Sequence, residues 1–145
     1  MKKYNVAVVG ASGNVGREIL NILHFRSFPI QETHALASSK SEGQKIIYGD
    51  DKETFIKNLE TFDFKNIDIV FSSAGSEVSK KFIPKAIKSG AIIIDNTSCF
   101  RMHKDVPLIV PEVNLEHLKD FKKKKIIANP NCSTIQMVMA LKPIH

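Results

Sequence analysis

Short apolar runs at residues 6–9 (Val-Ala-Val-Val), 67–71 (Ile-Asp-Ile-Val-Phe), 91–94 (Ala-Ile-Ile-Ile) and 126–128 (Ile-Ile-Ala) alternate with segments whose apolar residues recur every three or four positions. A run without polar alternation suits a strand covered on both faces, and the three-to-four spacing is the stripe of a helix lying on such a sheet. Residues 14–25 carry Val15, Ile19, Ile22 and Leu23 at helical spacing, and Pro29 closes the segment. Residues 33–37 read as a second strand. Residues 78–89 predict a helix with Phe82, Ile83, Ala86 and Ile87 inward; Pro84 disturbs its first turn and Gly90 stops it. Further on, residues 107–111 read as extended, 115–121 as weakly helical and 133–141 as a closing helix. Residues 41–65 carry weak periodicity and suggest only short strands and turns.

Strands alternating with helices predict an α/β fold of the Rossmann-like, doubly wound type, a mainly parallel sheet with helices on both faces. Ligands of such sheets gather at the carboxyl ends of the strands. The polar clusters after Val9, Ala37, Phe71, Ile94 and Ala128 are therefore expected to converge on one crevice.

The first cluster is Gly10-Ala11-Ser12-Gly13-Asn14-Val15-Gly16, at a strand-to-helix turn. Backbone N–H groups and the positive end of the helix face a pyrophosphate there, which makes Gly10, Ser12, Gly13, Asn14 and Val15 the expected cofactor contacts. The spacing is G-x-x-G-x-x-G where the commoner fingerprint is G-x-G-x-x-G, and glycines also serve turns for steric reasons alone. After the second strand stand Ser38, Ser39, Lys40 and Ser41, with no carboxylate to accept ribose hydroxyls. Lys40 and Ser41 suit a phosphate monoester and favour NADP over NAD, with Glu42 acting against them.

Cys132 follows a strand and opens a helix, where unpaired N–H groups and the helix dipole stabilise a thiolate. Its neighbours Asn129, Pro130, Asn131, Ser133 and Thr134 make a poor core, which argues against an inert packing thiol. Cys99, beside Phe100, lacks such a setting and reads as a packing residue. Arg101 ends the cluster Asp95-Asn96-Thr97-Ser98-Cys99-Phe100-Arg101 and could hold a phosphate bidentately or stand exposed in solvent. No spacing of ligand residues points to a metal.

The 145 residues and 43% hydrophobic content fit one domain with a single core. The 21 Lys+Arg against 15 Asp+Glu give +6. The lysine run 122–125 has no interleaved aromatics and no nucleic-acid module around it, so it reads as a solvated turn and no nucleic-acid partner is expected. No apolar run approaches the roughly 20 residues of a membrane span. Two cysteines in an unsecreted chain are expected to stay reduced, which implies a cytoplasmic setting.

Five segments together carry a family resemblance: GASGNVG at 10–16, SSAGSEVS at 72–79, DNTSCFRM at 95–102, VPLIVPEVN at 106–114 and IANPNCSTIQ at 127–136. In this order they resemble aspartate-β-semialdehyde dehydrogenases, over nearly the whole chain. The resemblance implies NADPH-dependent reduction of β-aspartyl phosphate to aspartate semialdehyde and phosphate, on the route to lysine, threonine and methionine. It makes Cys132 the nucleophile that forms an acyl thioester, with Asn131 beside it. It assigns Arg101, with Ser98, to phosphate, and Ser12, Gly13, Asn14, Val15, Lys40 and Ser41 to the cofactor. Two positions depart from the family pattern. The S-x-R-S-A-G loop is replaced by Ser39-Lys40-Ser41-Glu42-Gly43, and Cys99 stands where alanine is usual.

Family members also continue into a second domain bearing the acid/base histidine, the substrate-binding arginine and most of the dimer contact. None of His24, His34, His103, His117 or His145 lies in a matching context. The expectation is thus a fragment, residues 1–145, inactive alone and homodimeric at full length. Two rivals remain. N-acetyl-glutamyl-phosphate reductase shares the chemistry but tends to show P-G-C followed by an aromatic, and a non-catalytic nucleotide-binding module would have no need of Cys132.

Overall fold

The computed structural model describes residues 2–145. Seven strands form one sheet in the order β3-β4-β2-β1-β5-β6-β7. They are β1 (Tyr4–Val9), β2 (Ile30–Ala37), β3 (Lys45–Tyr48), β4 (Lys52–Asn58), β5 (Ile69–Ser72), β6 (Ile92–Asp95) and β7 (Ile126–Ala128). Every pairing is parallel except the β3–β4 hairpin at one edge. The doubly wound, mainly parallel sheet read from the sequence is the fold observed.

The uninterrupted apolar run of β1 follows from its central place. Ala7 and Val9 enter a core with Phe82, Ile83 and Ala86 of α2 (Ser76–Lys88), whereas Val6 and Val8 enter a second core with Leu20 and Leu23 of α1 (Asn14–Phe25). Val6, Val8, Val9, Leu20 and Ile83 are fully buried, and each contributes about 1.5–3 kcal/mol of transfer free energy. The two helices thus cover opposite faces, each sealing its own core.

α1 has the expected bounds but a rotated face. It buries Gly16, Leu20 and Leu23, while Val15 and Ile22 are exposed. The cause is Gly16: a Cβ there would overlap the Gly10 carbonyl oxygen and lie 2.7 Å from the Ala11 Cα. The helix presses backbone to backbone at that point, so the positions in line with Gly16 turn inward and those in line with Val15 turn out. α2 begins at Ser76, two residues before the expected start, and carries Pro84 inside it on an exposed position. The residue whose carbonyl Pro84 leaves without its helical donor, Lys80, is itself exposed.

A 3-10 turn (Ser39–Ser41) leads into the stretch of weak periodicity, which contains the β3–β4 hairpin. Asn21 and His24 of α1 pin the hairpin turn, through the Gly49 N–H to Asn21 Oδ1 at 3.0 Å and the His24–Asp50 pair at 3.0 Å. Residues 107–110 run extended beside β7, with Leu108 bridged to Ala128. A short α3 (Pro111–Asn114) and a 3-10 segment (Leu115–Lys123) then return the chain to β7, after which α4 (Cys132–Leu141) follows. Among the described residues no helix is long and apolar enough to cross a membrane.

Candidate functional site

The ends of β1, β2, β4 and β5 open into a crevice of ≈ 490 Å³. One wall is the glycine loop, through Gly10, Ser12 and Gly13. The ends of β2 and β4 contribute Ala37, Ser38, Leu59 and Glu60, and the far wall is Ser73 and Ala74 with α2. Gly10 adopts φ +88, and a Cβ on it would lie 2.8 Å from Ser73 Oγ, so glycine is imposed by the turn and by the neighbouring strand end. Gly13 differs. Its φ of −84 and ψ of 165 suit any residue, and a Cβ there would meet only the Gly10 carbonyl oxygen at 3.4 Å. The backbone and its packing thus do not require glycine at position 13. The start of α1 has no side-chain cap, so its orphan N–H groups are open to an anion. This cradle and the apolar slot beside it fit a dinucleotide.

Asn14 and Val15 form the exposed first turn of α1. Lys40 and Ser41 stand on the 3-10 turn beyond Ser38 and do not line the crevice. In their place the structure brings in Leu59, Glu60, Lys81 and Lys85, none of which sequence reasoning singled out. Phe82 was legible as a core residue but not as crevice wall.

A second cluster forms where β5, β6 and β7 end. Buried Asp95 accepts from the Thr97 N–H at 3.1 Å and the Thr97 hydroxyl at 3.0 Å, and Ser72 and Ser79 share a hydrogen bond of 2.8 Å below it. Burial holds the Asp95 carboxyl above its usual range, against the opposing pull of the Thr97 and Ser72 hydrogen bonds and of Arg101. Arg101 Nε donates to the Asn129 carbonyl at 2.9 Å and its Nη2 to the Asn96 carbonyl at 3.1 Å. Asn129 Nδ2 donates to Asn96 Oδ1 at 2.7 Å, joining the two loops side chain to side chain. Ser98 reaches the start of α2 through a 2.7 Å hydrogen bond with Ser76.

Three residues after Asn129, Cys132 opens α4. Asn131 is the N-cap, its Oδ1 accepting from the Ser133 N–H at 2.9 Å, and the Cys132 side of the turn is exposed. Cys99 is also a free thiol but half-buried, and burial, with the nearby Asp95 charge, pushes it up from its ordinary value. The histidines serve elsewhere: His24 holds Asp50, and His34 packs on Phe62 with its Nδ1 3.1 Å from Lys57 Nζ. Among the described residues no group of three candidate ligands could hold a metal.

Residues 5–121 match the family described as semialdehyde dehydrogenase, NAD binding domain. The aspartate-semialdehyde dehydrogenase of Rickettsia bellii is 56% identical over 143 residues, which are 99% of this chain and 42% of that protein. In shape, the chain is similar to aspartate semialdehyde dehydrogenase II of Vibrio cholerae complexed with ASA, with TM-score 0.94, 48% identity and coverage of 99% of this chain and 46% of that one. It is also similar to the aspartate semialdehyde dehydrogenase of Candida albicans with NADP, with TM-score 0.82, 27% identity and coverage of 99% and 47%. The chain thus spans less than half the length of these relatives.

Proposed function

This chain belongs to the semialdehyde dehydrogenase family through its NAD-binding domain, and from that premise we infer that it is the cofactor-binding, nucleophile-bearing part of an NADP-dependent aspartate-semialdehyde dehydrogenase. The reaction is the reduction of β-aspartyl phosphate to aspartate semialdehyde and phosphate, on the route to lysine, threonine and methionine. The reading is supported above all by one arrangement: an exposed cysteine on a capped helix start, whose loop carries a carbonyl that grips an arginine.

In this reaction Cys132 Sγ attacks the acyl carbon, phosphate departs and the acyl group remains on Cys132 as a thioester. A thioester carbonyl accepts hydride readily, whereas a carboxylate does not. NADPH would be held along Gly10, Ser12, Gly13, Asn14 and Val15 with Lys40 and Ser41 at its outer end and would supply that hydride; the carbon–sulfur bond then breaks, releasing the aldehyde and returning Cys132 as the thiolate. Arg101 spends its Nε edge on the two loop carbonyls, which leaves its terminal Nη1/Nη2 edge for two phosphate oxygens. Ser98 and Asn131, on the loops that Arg101 ties together, would offer neutral donors. The thiol chemistry suits a reducing compartment such as the cytoplasm, and residues 1–145 act as the dinucleotide domain of a homodimer whose second catalytic domain lies in the further length that the relatives have.

The test is thioester trapping. The enzyme extended to the length of its relatives, given β-aspartyl phosphate without NADPH, is expected to gain an aspartyl mass on the Cys132 peptide, and Cys132→Ala to gain none. An adduct from N-acetylglutamyl phosphate but not from β-aspartyl phosphate would transfer the enzyme to the rival reaction.

A further inference from the structure

The backbone between Asn96 and Arg101 has no ladder to hold it. The Asn96 N–H reaches the Ser72 carbonyl at 2.9 Å and the His103 N–H the Phe100 carbonyl at 3.1 Å, but from Thr97 to Met102 no N–H donates to a backbone oxygen among the described residues. Two side chains take over that part. The Thr97 N–H goes to Asp95 Oδ1 at 3.1 Å, and the Cys99 N–H to the Thr97 hydroxyl at 3.2 Å, which itself donates to Asp95 Oδ2 at 3.0 Å. Both donors of Thr97 therefore end on one carboxylate, which closes an Asx-type turn and locks it from the side. Ser98, between the two pinned residues, is left exposed, with Arg101 three positions on.

A buried carboxylate is an unfavourable means of closing a turn. Asp95 is fully buried and stands in no ion pair among the described residues, so it loses its hydration to neutral donors alone. What it supplies that a neutral side chain does not is two acceptor oxygens with no donor of their own. Thr97 cannot reverse either bond, and the loop is left with one arrangement. The same loop offers the Asn96 carbonyl to Arg101 Nη2 at 3.1 Å, while Arg101 Nε reaches across to the Asn129 carbonyl at 2.9 Å. The turn that Asp95 and Thr97 define is thus the stretch of backbone between the carbonyl that steers the guanidinium and the Cα that carries it.

We propose that Asp95 and Thr97 are positioning residues for the phosphate: they touch no reactant, and they fix the turn over residues 96–101 so that Arg101 and Ser98 face the phosphate together. The assignment rests on reading Arg101 as the phosphate contact of the aspartate-semialdehyde dehydrogenase reaction. Steady-state kinetics of the enzyme extended to the length of its relatives, run from aspartate semialdehyde, phosphate and NADP, tests it. Thr97→Val keeps the shape and removes the hydroxyl. It is expected to raise KM for phosphate at least ~10-fold, with KM for NADP and the rate of Cys132 alkylation each changed less than ~2-fold. Thr97→Ser returns the hydroxyl and is expected to stay within ~3-fold of the unsubstituted enzyme. In an Arg101→Ala background Thr97→Val is expected to add less than ~2-fold, because a residue that acts through Arg101 has nothing left to act on. Asp95→Asn, which turns one acceptor into a donor, is expected to reproduce the phosphate defect and decides the matter if Thr97→Val does not fold. An unchanged KM for phosphate, a loss shared equally by phosphate and NADP, or an undiminished loss beside Arg101→Ala would overturn the assignment and leave Arg101 in its role. An Arg101→Ala enzyme with unchanged KM for phosphate would remove the phosphate reading itself, and the assignment with it.

Discussion

Arg101 Nε sits 2.9 Å from the Asn129 carbonyl oxygen, so the residue assigned to phosphate is fastened to the loop that delivers the nucleophile. With the Asn96–Asn129 side-chain bond at 2.7 Å and the Asn129 N–H on the Asp95 carbonyl at 2.8 Å, the ends of β6 and β7 are joined at three points, and the Arg101 bond to the Asn96 carbonyl closes the β6 loop on itself. The proposed nucleophile loop and the proposed anion site are thereby held in one geometry, as a displacement of phosphate from an acyl carbon would require.

Arg101→Lys keeps the charge but loses the fork that spans two carbonyls. It is expected to lower stability by about 1–3 kcal/mol, the cost of a charge-assisted hydrogen bond lost in a part-buried setting. Urea unfolding of the two proteins measures it. Identical midpoints would mean that the loops hold each other without Arg101.

Near neutral pH, iodoacetamide is expected to modify Cys132 well before Cys99. Cys132 is exposed at a helix start, whereas Cys99 is half-buried and its thiol titrates above its ordinary value because burial and Asp95 disfavour the thiolate. Mass spectrometry of partially labelled protein decides the order, and prior modification of Cys99 would remove Cys132 from the nucleophile's role.

Gly16 and Gly13 should respond in opposite ways to alanine. Gly16→Ala forces a Cβ into the Gly10 backbone and is expected to cost about 1–3 kcal/mol of stability or more. Gly13→Ala is expected to leave the melting temperature nearly unchanged and to weaken dinucleotide binding at least ~10-fold, by blocking close approach to the α1 start. Paired melting and titration experiments separate the two, and unimpaired binding by Gly13→Ala would undo the phosphate-cradle reading.

His34 makes stability depend on pH. Its folded-state pKa lies below 6.5, chiefly through burial, with Lys57 adding to the effect and Glu32 opposing it. The unfolded chain therefore binds the proton more tightly. The contribution is fully present above 6.5 and is lost as pH falls from there through the folded-state value. Between about pH 7 and about pH 5, unfolding free energy should fall more steeply for the unsubstituted protein than for His34→Asn. Parallel slopes for the two would show that His34 titrates alike folded and unfolded.

Local chemistry was readable in the sequence, and tertiary juxtaposition was not. The bounds of α1 could be read because Gly10, Gly13 and Pro29 punctuate it from within a few residues. The β3–β4 hairpin could not, because Lys45, Lys52, Glu53 and Lys57 interrupt its apolar residues at a half-solvated sheet edge. Gly10, Ser12 and Gly13 of the crevice wall belong to one loop, and Cys132 adjoins its cap Asn131, so both groupings could be read from neighbouring letters. Glu60, Lys81 and Lys85 reach the same crevice from separate elements. Asn96 and Asn129 meet across 33 positions, and no local periodicity encodes such a meeting. The outward turn of Val15 and Ile22 likewise follows from a backbone contact at Gly16, which hydrophobic spacing does not register.

The approach of Gly10 to Ser73 couples the histories of the two positions. Ser73 hydrogen-bonds the Val9 carbonyl at 2.9 Å and fills the space that a side chain at position 10 would need. A drifting lineage cannot enlarge residue 10 without first rebuilding the end of β5, and any such rebuilding reaches the start of α2. Change in this part of the molecule is thus channelled outward, to exposed Glu60, Lys81 and Lys85 on the crevice rim, where letters can be exchanged one at a time without disturbing the turn beneath them.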